Sequence, residues 1–413
     1  MKILLVSNLF PPDVLGGYEL LARDVAQALR GYGYVVHVLT TGADQAEDPG
    51  WVHRRLRLVR AFGERASLDR VRHGLLASDQ ERATEQLIDE LGPFDAAVVF
   101  SLRRLGLHAV RALQRRGVPV VFSFNDDWLL AHRPAEGGSP LKRAIWGLGE
   151  RGRLAARSWA GVHFERAVYV SEALREAMKS AGAPVPEGVV SYQGVDRELF
   201  AARELRAVPK GAKLLFAGRL HETKACDVAI DALAELADRE ATLSVAGAGD
   251  QREALERRAR ERGVAERVHF LGQVDRGALP ALMRAHDVFL FPSRWAEPLG
   301  LTYLEAISCG LPVVAKPMGG AAELLRDGEN CIVAPDAGSM AAAVERLVAE
   351  PSLGPELVKA GQRMLDERAS LERYVEAIER ELVHAARSAH ARDDAPRSVP
   401  LPKLLSLPPR PLA

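Results

Sequence analysis

Short apolar runs that alternate with stretches of helical period, in two successive trains, constrain the fold of this chain more than any other feature. Lys2–Val6 is the first run, with the pattern of a strand buried on both faces. A turn-rich loop, Phe10-Pro11-Pro12-Asp13-Val14-Leu15-Gly16-Gly17, leads into helical spacing from Tyr18 to Arg30, which Gly31 and Gly33 end. Leu21, Val25, Ala28 and Leu29 share one face of that helix. Further strands are predicted at Val35–Leu39, Ala96–Phe100, Val118–Phe124 and Arg166–Val170, with a helix over Leu107–Gln114 and another opening at Ser171-Glu172. Repetition of this βαβ kind folds as a doubly wound parallel sheet.

The pattern restarts near residue 210. Strands are predicted at Lys213–Ala217, Ala241–Ala246, Val268–Leu271, Val288–Phe291, Val313–Ala315 and Cys331–Val333, with helices at Lys224–Leu236, Gln251–Arg262 and about Leu301–Cys309. The expected fold is α/β, two facing Rossmann-like doubly wound domains with a cleft between them. The expected boundaries are 1–203, 204–375, a C-terminal helix over 376–390, and a disordered tail over 391–413, where six prolines break any helix or central strand. A length of 413 residues accommodates two or three domains, and 27% charged with 47% hydrophobic residues is ordinary globular composition.

Several classes are disfavoured. Lys+Arg equals Asp+Glu at 55 each, so the basic excess of a nucleic-acid-coating protein is missing and no nucleic-acid partner is expected. Cys226, Cys309 and Cys331 lie far apart with no CxxC, which disfavours a zinc site or a disulfide framework and fits a reducing compartment. No apolar run approaches the roughly 18 residues of a membrane helix. The N-terminal apolar run is too short for a signal peptide, since Ser7 and Asn8 follow at once. A cytoplasmic location is expected.

The segment Phe291-Pro292-Ser293-Arg294-Trp295-Ala296-Glu297-Pro298-Leu299-Gly300-Leu301-Thr302-Tyr303-Leu304-Glu305-Ala306 carries the most chemistry. A strand ends at Phe291 and a helix starts near Leu299–Leu301. Glu297 and Glu305 would be roughly 12 Å apart along a helix axis even if the whole stretch were helical. That is too far for the carboxyl pair of a retaining glycosidase, about 5 Å. The two can hold opposite ends of one long ligand, with the helix N-terminus between them suited to a phosphate. Read singly, Glu297 is a loop carboxylate and Glu305 a solvated helix residue. Gly218-Arg219-Leu220 with Lys224 follows another strand, where α/β folds bind ligands, and two cations there can neutralise a diphosphate. The plain alternative is a surface ion-pair cluster with Glu222. Gly247-Ala248-Gly249 is a weak signal, because tight turns need glycine anyway. Gly16-Gly17 lets backbone N–H groups approach an anion, or is simply a loop-to-helix turn.

In combination these segments are specific. From Met1 to about Arg387 the chain resembles the family-4 retaining glycosyltransferases of GT-B fold. The resemblance rests on Gly16-Gly17, Ser171-Glu172-Ala173-Leu174, Gln193-Gly194-Val195-Asp196, Gly218-Arg219-Leu220 with Lys224, Gly247-Ala248-Gly249, and above all Glu297-x7-Glu305 backed by Gly310-Leu311-Pro312-Val313-Val314-Ala315. It implies transfer of a sugar from a nucleotide-sugar donor to an acceptor hydroxyl, in polysaccharide or glycolipid synthesis, with retained anomeric configuration. Arg219 and Lys224 would bind the diphosphate, Glu305 the ribose and Glu297 the donor sugar. Glu297, Arg219 and Lys224 would be the catalytic set. Gly218 and Gly247 would lie along the donor, backbone groups at Leu301 and Thr302 would complete the phosphate site, and Gln273–Val274 would meet the base. Gly16 and Gly17 would let the first loop approach donor phosphate and acceptor. The leaving phosphate would accept the acceptor's proton, so no protein base and no metal or other cofactor is required.

One position departs from the family. Where a His-Asp pair is usual, this chain reads Asn125-Asp126-Asp127-Trp128. Asn125 can exchange hydrogen bonds with a sugar or acceptor but carries no proton. Asp126 is the second candidate contact, and Asp126-Asp127 reads better as a solvated or capping pair than as a metal site. His132, His163 and His221 are candidates for the missing imidazole, each more simply a surface or packing residue. Two rival readings follow, a sugar-nucleotide epimerase and a non-catalytic nucleotide-sugar-binding subunit of a glycan assembly complex. Arg219, Lys224, Glu297 and Glu305 argue against both. The acceptor, a glycan or lipid-linked sugar, falls to the first half. There Leu141–Arg166 is basic and bears Trp146 and Trp159, a pattern for peripheral contact with the inner face of a membrane or for an ordinary solvated helix.

Overall fold

The structure is a computed structural model that describes residues 1–14, 16–43, 45, 48–58, 69–132, 159 and 161–392, the side chains of 69–75, 77 and 390–392 aside. The chain divides into two compact units. Unit 1 holds Met1–Tyr169, Arg175–Val190 and the chain from Val375 on; unit 2 holds Val170–Leu174 and Ser191–Tyr374.

Unit 1 begins with β1 (Lys2–Val6), α1 (Gly17–Gly31), β2 (Val35–Thr41), β3 (Val52–Leu56) and α2 (Asp69–Leu91). It continues with β4 (Ala96–Val99), α3 (His108–Arg115), β5 (Val120–Phe124), β6 (Arg166–Tyr169), α4 (Glu172–Ser180, of which the residues up to Leu174 belong to unit 2) and β7 (Val189–Val190). The strands form one parallel sheet in the order β3-β2-β1-β4-β5-β6-β7. The order reverses between β1 and β4, where chain connections leave the sheet in opposite directions. At such a switch point the carboxyl ends of the strands open a crevice. β1, β4 and β5 are almost wholly buried, as their unbroken apolar runs require.

Unit 2 repeats the plan. β8 (Lys213–Ala217), α5 (Cys226–Glu235), β9 (Thr242–Ala246), α6 (Arg252–Glu261) and β10 (Val268–Gly272) come first. α7 (Leu279–Arg284), β11 (Val288–Phe291), α8 (Thr302–Ser308), β12 (Val313–Ala315), α9 (Ala321–Leu324), β13 (Ile332–Val333), α10 (Ala337–Ala349) and α11 (Leu353–Arg368) complete it. The parallel order is β10-β9-β8-β11-β12-β13, with the switch point between β8 and β11. Leu214 and Phe216 of β8, Leu243 and Val245 of β9, and Leu290 of β11 are buried with Ile230 and Leu233 of α5 and Val344 and Leu347 of α10 in one core.

The division falls at Ser191, earlier than residue 204. Hydrogen bonds hold the intervening segment to unit 2: Ser308 Oγ donates to Phe200 O at 2.7 Å and Arg203 N to Cys309 O at 3.1 Å. Gly194 packs so closely on residues 370–371 that a Cβ there would lie 1.9 Å from Leu371 N. The last helix, α12 (Leu371–Arg392), is longer than the 376–390 expected, and from Val375 it belongs to unit 1. Two buried carboxylates fasten it there: Glu379 accepts from Tyr34 OH at 2.5 Å and Glu381 pairs with Arg166 at 3.0 Å. The tail from 393 and residues 141–158 of the basic stretch lie outside the described residues. Among the described residues no helix is long and apolar enough to cross a membrane.

Candidate functional site

The loops after β8 and β11 of unit 2, on either side of the switch point, bring two of the expected residues into contact. After β8 the chain runs through Gly218-Arg219-Leu220 and is zipped to the loop after β9: Gly218 N donates to Ala246 O and Leu220 N to Ala248 O, each at 2.9 Å. Gly247 adopts φ +154°, and a Cβ there would lie 1.8 Å from Gly218 O; one at Gly249 would lie 2.2 Å from Leu220 O. Both glycines are therefore demanded by backbone packing alone. Leu220 is fully buried while Arg219 is exposed, and among the described residues no group pairs with the Arg219 guanidinium.

His221 caps the single turn Glu222–Lys224, its Nδ1 accepting from Thr223 N at 3.3 Å. Ala225 follows with φ +55°, the one non-glycine in the left-handed region among the described residues. That conformation costs roughly 1–2 kcal/mol in an L-residue. It turns the chain sharply between Lys224 and α5. Lys224 Nζ donates to Glu297 Oε1 at 2.5 Å and lies 5.0 Å from the centroid of the Trp295 ring. The buried Ser293 donates its hydroxyl to the same carboxylate oxygen at 3.0 Å. Glu297 itself is 3% exposed.

A second carboxylate is buried on α8. Glu305 is 2% exposed and its one described ionic partner is Arg276 Nη1 at 2.6 Å. Burial pushes the Glu305 carboxyl above its ordinary range, and the charge and hydrogen bond of Arg276 pull against that. Glu305 is therefore not a solvated helix residue, while Glu297 is a loop carboxylate that is buried. Arg276 sits in the loop from β10 that also carries the exposed Gln273 and half-buried Val274. Leu301 and Thr302 begin α8, whose first-turn N–H groups have no acceptor within the helix.

Sequence reasoning passed over what holds Glu297 in place. Glu297 pairs as an isolated parallel bridge with Gly319, and Gly320 N donates to Glu297 O at 2.8 Å. A Cβ at Gly319 would lie 2.4 Å from Glu297 O, and one at Gly320 2.0 Å from Pro298 O. Ser171 also donates its hydroxyl to Pro298 O. Close by, Glu323 accepts from Glu172 N at 3.1 Å and Ala173 N at 2.7 Å and receives Tyr192 OH at 3.0 Å. The signal at 319–320 was a Gly-Gly after a strand, the same signal read at 16–17. Arg276 carried no motif and became visible only through its ion pair.

In unit 1 one tyrosine links the Gly16-Gly17 loop to Asn125. Gly16 has an extended backbone, φ −172°, and a Cβ there would meet nothing within 4 Å, so its own fold does not require glycine. Gly17 starts α1, and the next residue, Tyr18, donates its hydroxyl to Ser123 O at 2.8 Å and accepts from Asn125 N at 3.3 Å. Asn125 Oδ1 also accepts from Ser123 Oγ at 2.8 Å. Asp126 accepts from Trp128 N at 2.8 Å and pairs with Arg103 at 3.4 Å; Asp127 pairs with the same arginine at 2.6 Å. Burial raises the Asp126 carboxyl against the pull of Arg103. His132 is buried with Nε2 3.0 Å from Leu102 O, and His163 exchanges backbone hydrogen bonds with the Gln114 side chain. Among the described residues no cluster of three His, Cys, Asp or Glu can hold a metal ion.

Residues 15–199 match the family described as "Glycosyltransferase Family 4" and residues 211–350 match "Glycosyl transferases group 1". Glycogen synthase of Mycobacterium tuberculosis is 29% identical over 394 residues, covering 88% of this chain and 90% of that protein. A GDP-mannose-dependent phosphatidylinositol monomannoside mannosyltransferase of Mycolicibacterium smegmatis is 29% identical over 378 residues, with 87% and 92% covered. Among solved structures, sucrose-phosphate synthase from Thermosynechococcus elongatus has a TM-score of 0.69 at 19% identity, covering 95% of this chain and 99% of that one. HepE of Anabaena, crystallised with UDP and glucose, has a TM-score of 0.66 at 22% identity, with 93% and 100% covered. This chain is a glycosyltransferase of GT-B fold and belongs to family 4.

Proposed function

We propose that the protein transfers a hexose from a nucleoside-diphosphate donor to an acceptor hydroxyl with retention of configuration, in polysaccharide or glycolipid synthesis. The observation that carries this reading is the Lys224–Glu297 pair in the loops after β8 and β11, with Arg219 earlier in the first of these loops exposed and unpaired among the described residues. An ammonium has three N–H donors, and Glu297 takes one. The others are left for diphosphate oxygens, with Arg219 free to bind them through two parallel N–H groups. The second oxygen of Glu297 is left for a sugar hydroxyl, where a buried carboxylate also favours positive charge developing on the sugar ring.

Glu305 takes the ribose hydroxyls in this reading, Gln273–Val274 the base, and the N–H groups at Leu301 and Thr302 the phosphates. Gly218 and Gly247 keep the donor's path open. The charge on the departing diphosphate is met by Lys224 and Arg219, so the reading assigns no step to a divalent cation. The leaving phosphate oxygen takes the acceptor's proton as the acceptor oxygen attacks the anomeric carbon on the same face. For unit 1 the reading assigns acceptor binding, with the bare backbone of Gly16-Gly17 approaching phosphate or acceptor. Asn125 and Asp126 are the candidate sugar or acceptor contacts. HepE was crystallised with UDP-glucose and one relative is GDP-mannose-dependent, which makes UDP- and GDP-hexoses the first donors to try.

The test is nucleotide release from a panel of UDP-, GDP- and ADP-sugars, with product configuration read by NMR. Turnover of one donor that Glu297→Gln abolishes supports the reading. Binding of a donor without release, acceptor extracts included, supports the non-catalytic subunit instead. Unchanged turnover in Glu297→Gln removes Glu297 from the site.

A further inference from the structure

We infer that Arg294 is a positioning residue: bound to Asp227, it straps the loop that carries Glu297 onto the turn that carries Lys224. The inference rests on the donor-site reading above and adds to it the device that sets the distance between its two central groups.

The strap has three attachments. The Arg294 guanidinium grips the Asp227 carboxylate through two N–H groups, Nη1 at 2.8 Å and Nη2 at 2.6 Å. This is the two-point geometry that fixes direction as well as distance. Nη1 also reaches Glu222 O at 3.4 Å. The Arg294 backbone N donates to Thr223 O at 2.8 Å, and the neighbouring Ser293 hydroxyl approaches the same carbonyl at 3.3 Å. Residues 222, 223 and 227 thus bracket Lys224 in sequence, and residues 293 and 294 precede Trp295 and Glu297, which touch it. Asp227 lies in the first turn of α5, a rigid base directly after the left-handed Ala225. Burial alone would raise the Asp227 carboxyl, but Arg294 holds it below its ordinary value, so the pair is ionised at neutral pH.

The pair is half exposed, at 46% for the Arg294 side chain and 28% for Asp227. Exposed ion pairs contribute little to global stability. What this one contributes is register between two loops, and its loss should therefore register in activity rather than in melting.

The experiment compares Arg294→Gln, Asp227→Asn and the double variant, with Lys224→Gln in the same assay. With the donor that the enzyme turns over, each single variant should lose about 10-fold to 100-fold in kcat/KM, the scale of a misplacement near 1 Å. The loss should fall mainly on kcat. The double variant should be no worse than the poorer single, because both break the same contact. Arg294→Lys, which keeps charge but not the two-point grip, should recover only part. Melting temperatures should stay within a few degrees of the parent. Multiplying effects in the double variant, or single variants as active as the parent while Lys224→Gln is inactive, overturn the strap and leave the donor site standing. A fully active Lys224→Gln overturns the donor-site reading itself. A melting temperature lowered in proportion to the activity loss makes the pair a stability feature and also overturns the strap.

Discussion

Replacing Gly320 by alanine should inactivate the enzyme while barely touching the residues that carry the chemistry. Gly320 has φ −61°, an ordinary value that alanine adopts without strain, so the substitution carries no backbone penalty. Its cost is collision. The new Cβ would stand 2.0 Å from Pro298 O and 2.8 Å from Ser171 Cβ. A carbon and a carbonyl oxygen need roughly 3.3 Å. The chain at Glu297–Pro298 must therefore retreat by more than about 1 Å, or the bridge between Glu297 and Gly319 must open. Overpacking of this kind costs about 1–3 kcal/mol in stability. A shift of 1 Å at Glu297 costs about 100-fold in rate, since the carboxylate must meet both Lys224 and a sugar hydroxyl. The assay is steady-state nucleotide release beside thermal melting. The control is Gly31→Ala, at the end of α1, where a Cβ meets nothing within 4 Å and no positive φ is involved. Gly320→Ala with parental kcat would refute the claim that this contact sets the position of Glu297.

Two further outcomes follow from buried charges. In Arg276→Met, Glu305 loses the cation that opposes its burial, so its carboxyl titrates higher still. Nucleotide affinity measured by calorimetry should be lowered at neutral pH and should recover as pH rises; affinity profiles that superimpose on the parent would contradict it. His37 and His53, on neighbouring strands β2 and β3, share a 3.0 Å contact between ring nitrogens, and His37 is lowered to about 4 by burial first and then by His53, Lys2 and Arg30. The folded chain therefore holds fewer protons there than the unfolded chain between about pH 6.5 and 4. Stability should fall as pH falls through that window, with a His37 contribution to the slope of at most about 1.4 kcal/mol per pH unit, the limit for one proton. Chemical denaturation of His37→Gln should show a flatter profile there, and an unchanged slope would sink the assignment.

The strands at the centre of both sheets were legible because they are buried on both faces: Lys2–Val6, Lys213–Ala217, Val288–Phe291 and Val313–Ala315 have the same bounds in the sequence reading and the structure. The edge strands β10 and β13 were legible to within a residue, but β3 and α2 were not. Val52–Leu56 reads His-Arg-Arg in its middle because β3 is an edge strand, and α2 has almost no apolar face, with Asp, Arg and Glu spread around it. Glu297 and Lys224 stood out in the sequence as a carboxylate eight residues before Glu305 and a cation after a strand. Their pairing was not legible, nor was Arg276, because contacts between residues 224 and 297, or between 276 and 305, arise only when β8, β10 and β11 are brought side by side. Gly247 shows the opposite case, a motif glycine whose presence the packing on Gly218 already explains.

The most direct test of the central claim is nucleotide release from the sugar-nucleotide panel by the parent enzyme and by Lys224→Gln and Glu297→Gln in parallel. The account predicts that one donor is turned over by the parent and that each variant loses at least about 100-fold in kcat, the scale of one electrostatic contact made to the transition state. Both variants turning over that donor at the parental rate would contradict it.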